Sequence, residues 1–106
     1  MFVYLRSLIF KSLPSLGVVF MIEKQATVKN KLGIHARPSA LLVQAAAKFT
    51  SEINFEKEGL SINGKSIMGV MMLAAEVGSV ISVRAEGEDE AEALETMVEM
   101  IESIFD

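Results

Sequence analysis

The stretch NKLGIHARPSALLVQAAAKF, residues 30–49, contains the transition from a loop to the first helix of the chain. Residues 30–33 have the polar and glycine composition of a loop, and an alanine-rich helix is predicted from about Ala36 to Phe49. Pro38 suits the first turn of a helix, and because proline disfavours helical geometry in the residue before it, we expect regular helical geometry from Pro38 onward. Two faces of this helix follow from the spacing, an apolar one with Leu42, Ala45, Ala46 and Phe49 and another with Arg37, Leu41, Gln44 and Lys48.

Strand patterns precede and follow this helix. Alternation of apolar and polar residues predicts four strands, at residues 22–28, 52–57, 60–62 and 79–85. Ile53 and Phe55 should point inward from the second of these strands. Glu58-Gly59 has the composition of the turn that would join it to the third.

Two further helices are expected in the second half of the chain. Ser66 predicts the N-cap of a short helix with the sequence SIMGVMML, from which Val70 and Met72 should pack into the core. Asp89 with Glu92 resembles a capping box at the start of a last helix. The apolar stripe of that helix is formed by Leu94, Met97, Val98, Ile101 and Ile104.

The predicted order of elements is therefore β-α-β-β-α-β-α. Four strands and three helices fit an α+β sandwich in which the helices cover one face of a sheet. The split arrangement favours a mainly antiparallel sheet. A length of 106 residues corresponds to one small domain.

Composition excludes several classes of protein. The chain has no cysteine and a single histidine, so we expect no disulfide, no metal site and no cofactor. Five bases and no acid lie within residues 24–48, whereas nine acids and no base follow Arg84, so one end of the molecule should attract anions. The bases are few and are not interleaved with aromatic residues, so nucleic acid is not an expected partner. The lack of cysteine suits a reducing compartment, and we expect a cytoplasmic protein.

Residues 1–20, MFVYLRSLIFKSLPSLGVVF, differ from the rest of the chain. The segment is mostly apolar, but Arg6, Lys11 and Pro14 interrupt it, so it is a poor membrane span and a poor signal peptide. We favour an apolar leader that is translated from an upstream start codon and lies outside the fold, with residues 21–106 as a domain that does not bind membranes. The alternative is a genuine membrane-associating or targeting leader, and the mass of the native N-terminus would distinguish the two.

His35 is the residue of greatest chemical interest. It lies where the first helix should begin, and the free N–H groups and dipole of a helix start favour an anion. Gly33 allows the preceding loop to turn tightly, and Arg37 supplies a guanidinium for a phosphate. These features favour a phosphohistidine. From the residues alone, an exposed histidine near a helix cap with no chemical role stays an open alternative.

Two segments resemble one known family. Asn-Lys-Leu-Gly-Ile-His-Ala-Arg-Pro, residues 30–38, is similar to the active-site signature of HPr, the histidine-containing phosphocarrier of the bacterial phosphoenolpyruvate-dependent sugar phosphotransferase system. Lys-Ser-Ile-Met-Gly-Val-Met, residues 65–71, resembles the second HPr signature. The resemblance covers residues 21–106 and implies an open-faced sandwich, with a four-stranded antiparallel sheet and three helices on one face.

The resemblance also implies a function. Enzyme I would phosphorylate the δ nitrogen of His35 with a group derived from phosphoenolpyruvate, and His35 would pass that group to an enzyme IIA domain in sugar uptake. Arg37 would assist catalysis, and Ala36, Arg37 and Pro38 would cradle the phosphate. The protein would be an intermediate in phosphoryl transfer rather than a stand-alone catalyst, and a monomer.

Docking and regulation are further implications. A carrier needs an apolar patch that fits donor and acceptor. The candidates are Ala40, Leu41, Gln44, Ile67, Met68 and Met71, although core packing is an equal alternative for Met68 on its spacing alone. In many HPr proteins the serine that matches Ser66 is phosphorylated by an HPr kinase/phosphorylase, which adds a regulatory role to its capping role. An alternative function is regulatory phosphotransfer or an interaction module, through a nitrogen-related branch or Ser66, but a pure regulator would not need His35.

Overall fold

The computed structural model describes residues 8–13 and 17–103 of the chain. Within these ranges eight elements follow one another: β1 (Leu8–Leu13), β2 (Gly17–Thr27), α1 (Ala36–Ala46), β3 (Glu52–Lys57), β4 (Leu60–Asn63), α2 (Ile67–Met72), β5 (Val80–Glu86) and α3 (Glu90–Ile101). The predicted order β-α-β-β-α-β-α is confirmed from β2 onward.

The strands form one sheet with the order β1-β2-β5-β3-β4. All described neighbours are antiparallel, and Glu23 lies opposite Arg84, which in turn lies opposite Asn54. The open-faced α+β sandwich with a four-stranded antiparallel sheet is therefore confirmed in β2, β5, β3 and β4, with the three described helices.

β1 adds a strand that the sequence did not predict, since it lies within the expected leader. Its pairs with β2 run from Leu8 opposite Ile22 to Leu13 opposite Gly17, and β2 begins at Gly17 rather than at residue 22. Valine and phenylalanine at residues 18–20 are good strand formers, which accounts for the extension. That residues 1–20 are absent from the native protein stays a prediction.

The core lies between the sheet and the helices. The inward side chains Ile53 and Phe55 are confirmed, with exposed fractions of 1% and 0%. The α3 stripe is also confirmed, because Leu94, Met97, Val98 and Ile101 are all buried, while Ile104 lies outside the described residues. From α1, Leu42 and Ala46 are buried and Ala45 and Phe49 pack against the same cluster, although the helix ends at Ala46.

The prediction that Met72 packs into the core is wrong. Val70 is 1% exposed, as expected for a core residue, but the Met72 side chain is 63% exposed. α2 contains six residues, of which Val70 alone is fully buried. A helix of fewer than two turns presents only a narrow stripe to the core, so the Met72 side chain remains at the surface.

The capping box predicted for Asp89 and Glu92 is wrong as well. Asp89 is the N-cap of α3 by position, but its side chain makes no cap hydrogen bond. Its carboxylate instead accepts the Thr50 N–H and the Ser51 N–H, each at 2.9 Å, and the Ser51 hydroxyl. Asp89 therefore fastens the start of α3 to the loop before β3.

The hydrogen bonds to Asp89 should make stability depend on acid. The Ser51 hydroxyl, followed by the Thr50 N–H, lowers the pKa of Asp89 from 3.8 to about 2. A lowered pKa means that the stabilisation is complete above the unfolded-state value and is lost as the pH falls from about 4 to about 2. Urea unfolding of the wild type and of Asp89→Asn should give free energies that differ at pH 6 and converge towards pH 2. A difference that does not change with pH would contradict this assignment.

Candidate functional site

His35 is the N-cap residue of α1. Its backbone is extended, with φ −89° and ψ −164°, and its carbonyl accepts the Ser39 N–H at 2.9 Å, the first bond of the helix. The imidazole is exposed and makes no side-chain cap bond. The histidine is thus fixed through its backbone, while its ring is free to meet another molecule.

α1 begins at Ala36, as predicted, although the effect of Pro38 on the preceding residue had suggested that regular helical geometry would start only at Pro38. Ala36 and Arg37 are already helical, and Pro38 is the third helical residue and is buried. Arg37 is helical despite the proline that follows it, and Pro38 costs the helix no hydrogen bond, because the N–H groups of the first turn have no partner within a helix. His35 is consequently adjacent to the first helical residue.

The first turn of α1 is suited to an anion. The N–H groups of Ala36 and Arg37 are among the first donors of the helix, which have no partner within a helix. The Arg37 side chain is exposed, and the turn contains no acidic residue. Lys29 and Lys31 are exposed in the loop that leads to His35, so this end of the molecule is positively charged.

The loop before His35 turns at Gly33, as the sequence predicts, and is held by contacts that the sequence did not reveal. Gly33 has φ +73°, and Ile34 donates its N–H to Ala75 O at 2.8 Å. Asn30 is fully buried and donates from Nδ2 to Gly33 O at 3.0 Å. Asparagine three residues before glycine is a recognisable turn signal. The carbonyl of Ala75 carries no sequence signal at all.

Ser66 caps α2 as predicted. Its hydroxyl accepts the Gly69 N–H at 3.1 Å. α2 packs against α1, which brings the segment after Ser66 to the helix that starts at His35.

The expected docking residues lie on these two helices. Leu41, Ile67, Met68 and Met71 have exposed fractions of 36, 42, 72 and 47%. Gln44 is exposed and Ala40 is half-buried. Core packing is therefore excluded for Met68, and an apolar surface exists beside α1. Its role in docking stays a prediction.

Two further observations concern the described residues alone. No group of histidine, cysteine or acidic side chains within them could hold a metal ion. Nor do they contain a helix of the length and apolarity that crossing a bilayer requires.

The fold and the site define a class of small α+β domains in which an exposed histidine is presented at the start of a helix. The sequence model described as the PTS HPr component phosphorylation site matches residues 22–103. The chain belongs to the HPr family of the phosphotransferase system.

Known relatives agree with this membership. The chain is 55% identical over 82 residues to the HPr-like protein Crh of Halalkalibacterium halodurans, a match that covers 77% of this chain and 98% of the relative. It is 51% identical over 85 residues to the phosphocarrier protein HPr of Xylella fastidiosa strain Temecula1, covering 80% and 96%. The crystal structure of HPr from Bacillus anthracis superimposes with a TM-score of 0.75 at 45% identity, covering 77% and 98%.

The solved structures also include an HPr dimer from Thermoanaerobacter tengcongensis. The expectation that this chain is a monomer is therefore left without support.

Proposed function

We propose that this protein is a phosphocarrier of the sugar phosphotransferase system. His35 accepts a phosphoryl group from phosphorylated enzyme I in the cytoplasm and passes it to an enzyme IIA domain. The observation that carries the proposal is the exposed imidazole of His35 at the N-cap of α1, beside Arg37, in a chain of the HPr family.

The chemistry follows from this placement. The lone pair of a neutral imidazole nitrogen attacks phosphorus, so that a P–N bond forms while the bond from phosphorus to the donor breaks. The first-turn N–H groups of α1 and the Arg37 guanidinium stabilise the charge on the phosphoryl oxygens. The acceptor then attacks the same phosphorus, the P–N bond breaks, and the imidazole returns to its original state.

A carrier must also fit its donor and its acceptor. Leu41, Ile67, Met68 and Met71 supply adaptable apolar contacts beside the histidine, and Ala40 and Gln44 complete the surface. The exposed bases Lys29, Lys31 and Arg37 favour partners with acidic surfaces.

The experiment that tests the proposal uses the full chain, enzyme I and radiolabelled phosphoenolpyruvate. We expect the chain to take up label that is labile in acid and stable in base, as a P–N bond is. Addition of enzyme IIA should remove that label. A wild-type chain that takes up no label would overturn the proposal.

Introducing a negative charge at Ser66 should slow transfer from enzyme I. In Ser66→Asp the carboxylate can still cap α2, but it lies next to Ile67 and Met68 and repels an acidic partner. We expect the second-order rate constant to fall on the order of tenfold at low ionic strength and to recover partly in salt.

Ser66→Asn is the matched control for this prediction, because asparagine has the same shape as aspartate and caps a helix without a charge. It should transfer at the wild-type rate. Equal rates for Ser66→Asp and Ser66→Asn would exclude the electrostatic mechanism.

Regulation is the second candidate function. One solved structure is that of Crh, the catabolite repression HPr of Bacillus subtilis. The present chain is 43% identical to it, and the match covers 79% of the present chain. If the present chain is a regulator, a kinase should phosphorylate Ser66, while enzyme IIA should fail to accept a group from His35. The labelling experiment with enzyme IIA separates these two functions.

A further inference from the structure

Asn30 is a polar residue of the interior that the transfer chemistry does not itself use. Its exposed fraction is 0%, and a buried amide destabilises a fold unless its polar groups are paired. Two of its groups bind Gly33, because Nδ2 donates to the Gly33 carbonyl at 3.0 Å and the main-chain carbonyl accepts the Gly33 N–H at 2.9 Å. These bonds close a four-residue turn that ends two residues before His35.

The peptide group between Gly33 and Ile34 is consequently held at both of its polar ends. Its C=O accepts from Asn30 Nδ2, and its N–H donates to Ala75 O at 2.8 Å. A peptide group is planar, so fixing both ends fixes its orientation. Glycine would otherwise allow this group to rotate easily. The backbone therefore enters His35 in one direction.

The hydrogen bond from Asn30 Nδ2 to the Gly33 carbonyl also affects the first turn of α1. In an uninterrupted helix, the Arg37 N–H would donate to the carbonyl four residues earlier, that of Gly33. Within residues 17–103 the Gly33 carbonyl does not accept the Arg37 N–H; it accepts Asn30 Nδ2 instead. The Arg37 N–H thus stays available to an anion bound next to His35.

We infer that Asn30 is a positioning residue for phosphoryl transfer through His35. It orients the Gly33–Ile34 peptide group so that the imidazole and the Arg37 N–H face the same phosphoryl group. The inference rests on the proposed function, because it assigns Asn30 a part in that transfer. Because Asn30 is fully buried, its side chain is not exposed to a partner protein, and its effect should be on the rate of the bound complex rather than on binding.

The test compares Asn30→Ala and Asn30→Asp with the wild type as substrates of enzyme I. Aspartate has the shape of asparagine but, when ionised, has no donor for the Gly33 carbonyl. Both variants should lose on the order of tenfold to a hundredfold in kcat, with little change in KM, since small misplacements of reacting groups have effects of this size.

A control must separate positioning from loss of stability. Leu94→Ala serves this purpose, because Leu94 is fully buried in α3, a helix that carries none of the residues of the His35 site. It should lower the melting temperature and leave kcat unchanged below that temperature. A wild-type kcat in either Asn30 variant would overturn the inference, whatever the melting temperature.

A second measurement needs no enzyme I. Once Asn30 is replaced by alanine, the Gly33 carbonyl can accept the Arg37 N–H, so hydrogen exchange of the Arg37 amide should slow relative to the wild type. Exchange that is unchanged would contradict the mechanism. A wild-type chain that takes up no label would instead overturn the proposed function itself, and so the two failures are distinguishable.

Discussion

Replacing His35 with alanine should abolish acceptance of the phosphoryl group from enzyme I. The chain contains a single histidine, and neither the helix start nor Arg37 offers another nucleophile of this kind. The loss should be complete rather than partial, because no P–N bond can form at this site without the imidazole. The measurement is the acid-labile label from radiolabelled phosphoenolpyruvate, followed against time for the wild type and the variant.

The fold should survive this substitution. The His35 imidazole is exposed and makes no cap hydrogen bond, and the first bond of α1 uses the backbone carbonyl of the residue, which alanine retains. We expect the free energy of unfolding to change by less than about 0.5 kcal/mol. Acid-labile label on His35→Ala would show that another residue accepts the group. Acid-stable label would instead indicate a phosphate ester, for which Ser66 is the first candidate.

Neighbouring residues were sufficient to predict the structure wherever the interacting groups lie close in sequence. The Ser66 cap involves an acceptor and a donor three residues apart, so the local pattern contains both groups. The buried stripe of α3 is likewise set by the spacing of its own apolar residues. His35 could be placed at a helix start for the same reason.

Contacts between distant segments account for the errors. Asp89 has the local sequence of a capping box, but its carboxylate binds Thr50 and Ser51, which lie 39 and 38 residues away. Met72 has core spacing, but α2 is too short to bury it. Every residue has a backbone carbonyl, so nothing in the sequence marks that of Ala75 as the acceptor of the Ile34 N–H. The site was therefore predictable in its chemical groups and not in the contacts that orient them.

Gly33→Ala should cause the largest loss of stability among the single substitutions near the site. A Cβ at this position would lie 2.4 Å from Ala75 O and 3.1 Å from Glu76 Cα, and both of these atoms belong to the backbone. The loop would have to move away from residues 75 and 76, which breaks the 2.8 Å bond from Ile34 N to Ala75 O. Together with the strain of an L-residue at φ +73°, we expect the free energy of unfolding to fall by about 3 kcal/mol.

Gly59→Ala separates the two contributions to that loss. Gly59 has φ +87° in the turn between β3 and β4, but no atom lies within 4 Å of the Cβ that alanine would add. This variant therefore carries the backbone strain alone and should lose only about 1 kcal/mol, with a normal rate of phosphoryl transfer. In Gly33→Ala the transfer rate should fall as well, because the displaced loop carries the Gly33–Ile34 peptide group that leads to His35. Chemical denaturation and the enzyme I assay on both variants measure these effects. Equal losses in the free energy of unfolding at the two glycines would mean that the Ala75 carbonyl does not clash with a side chain at residue 33. The direction in which the backbone enters His35 would then need another explanation.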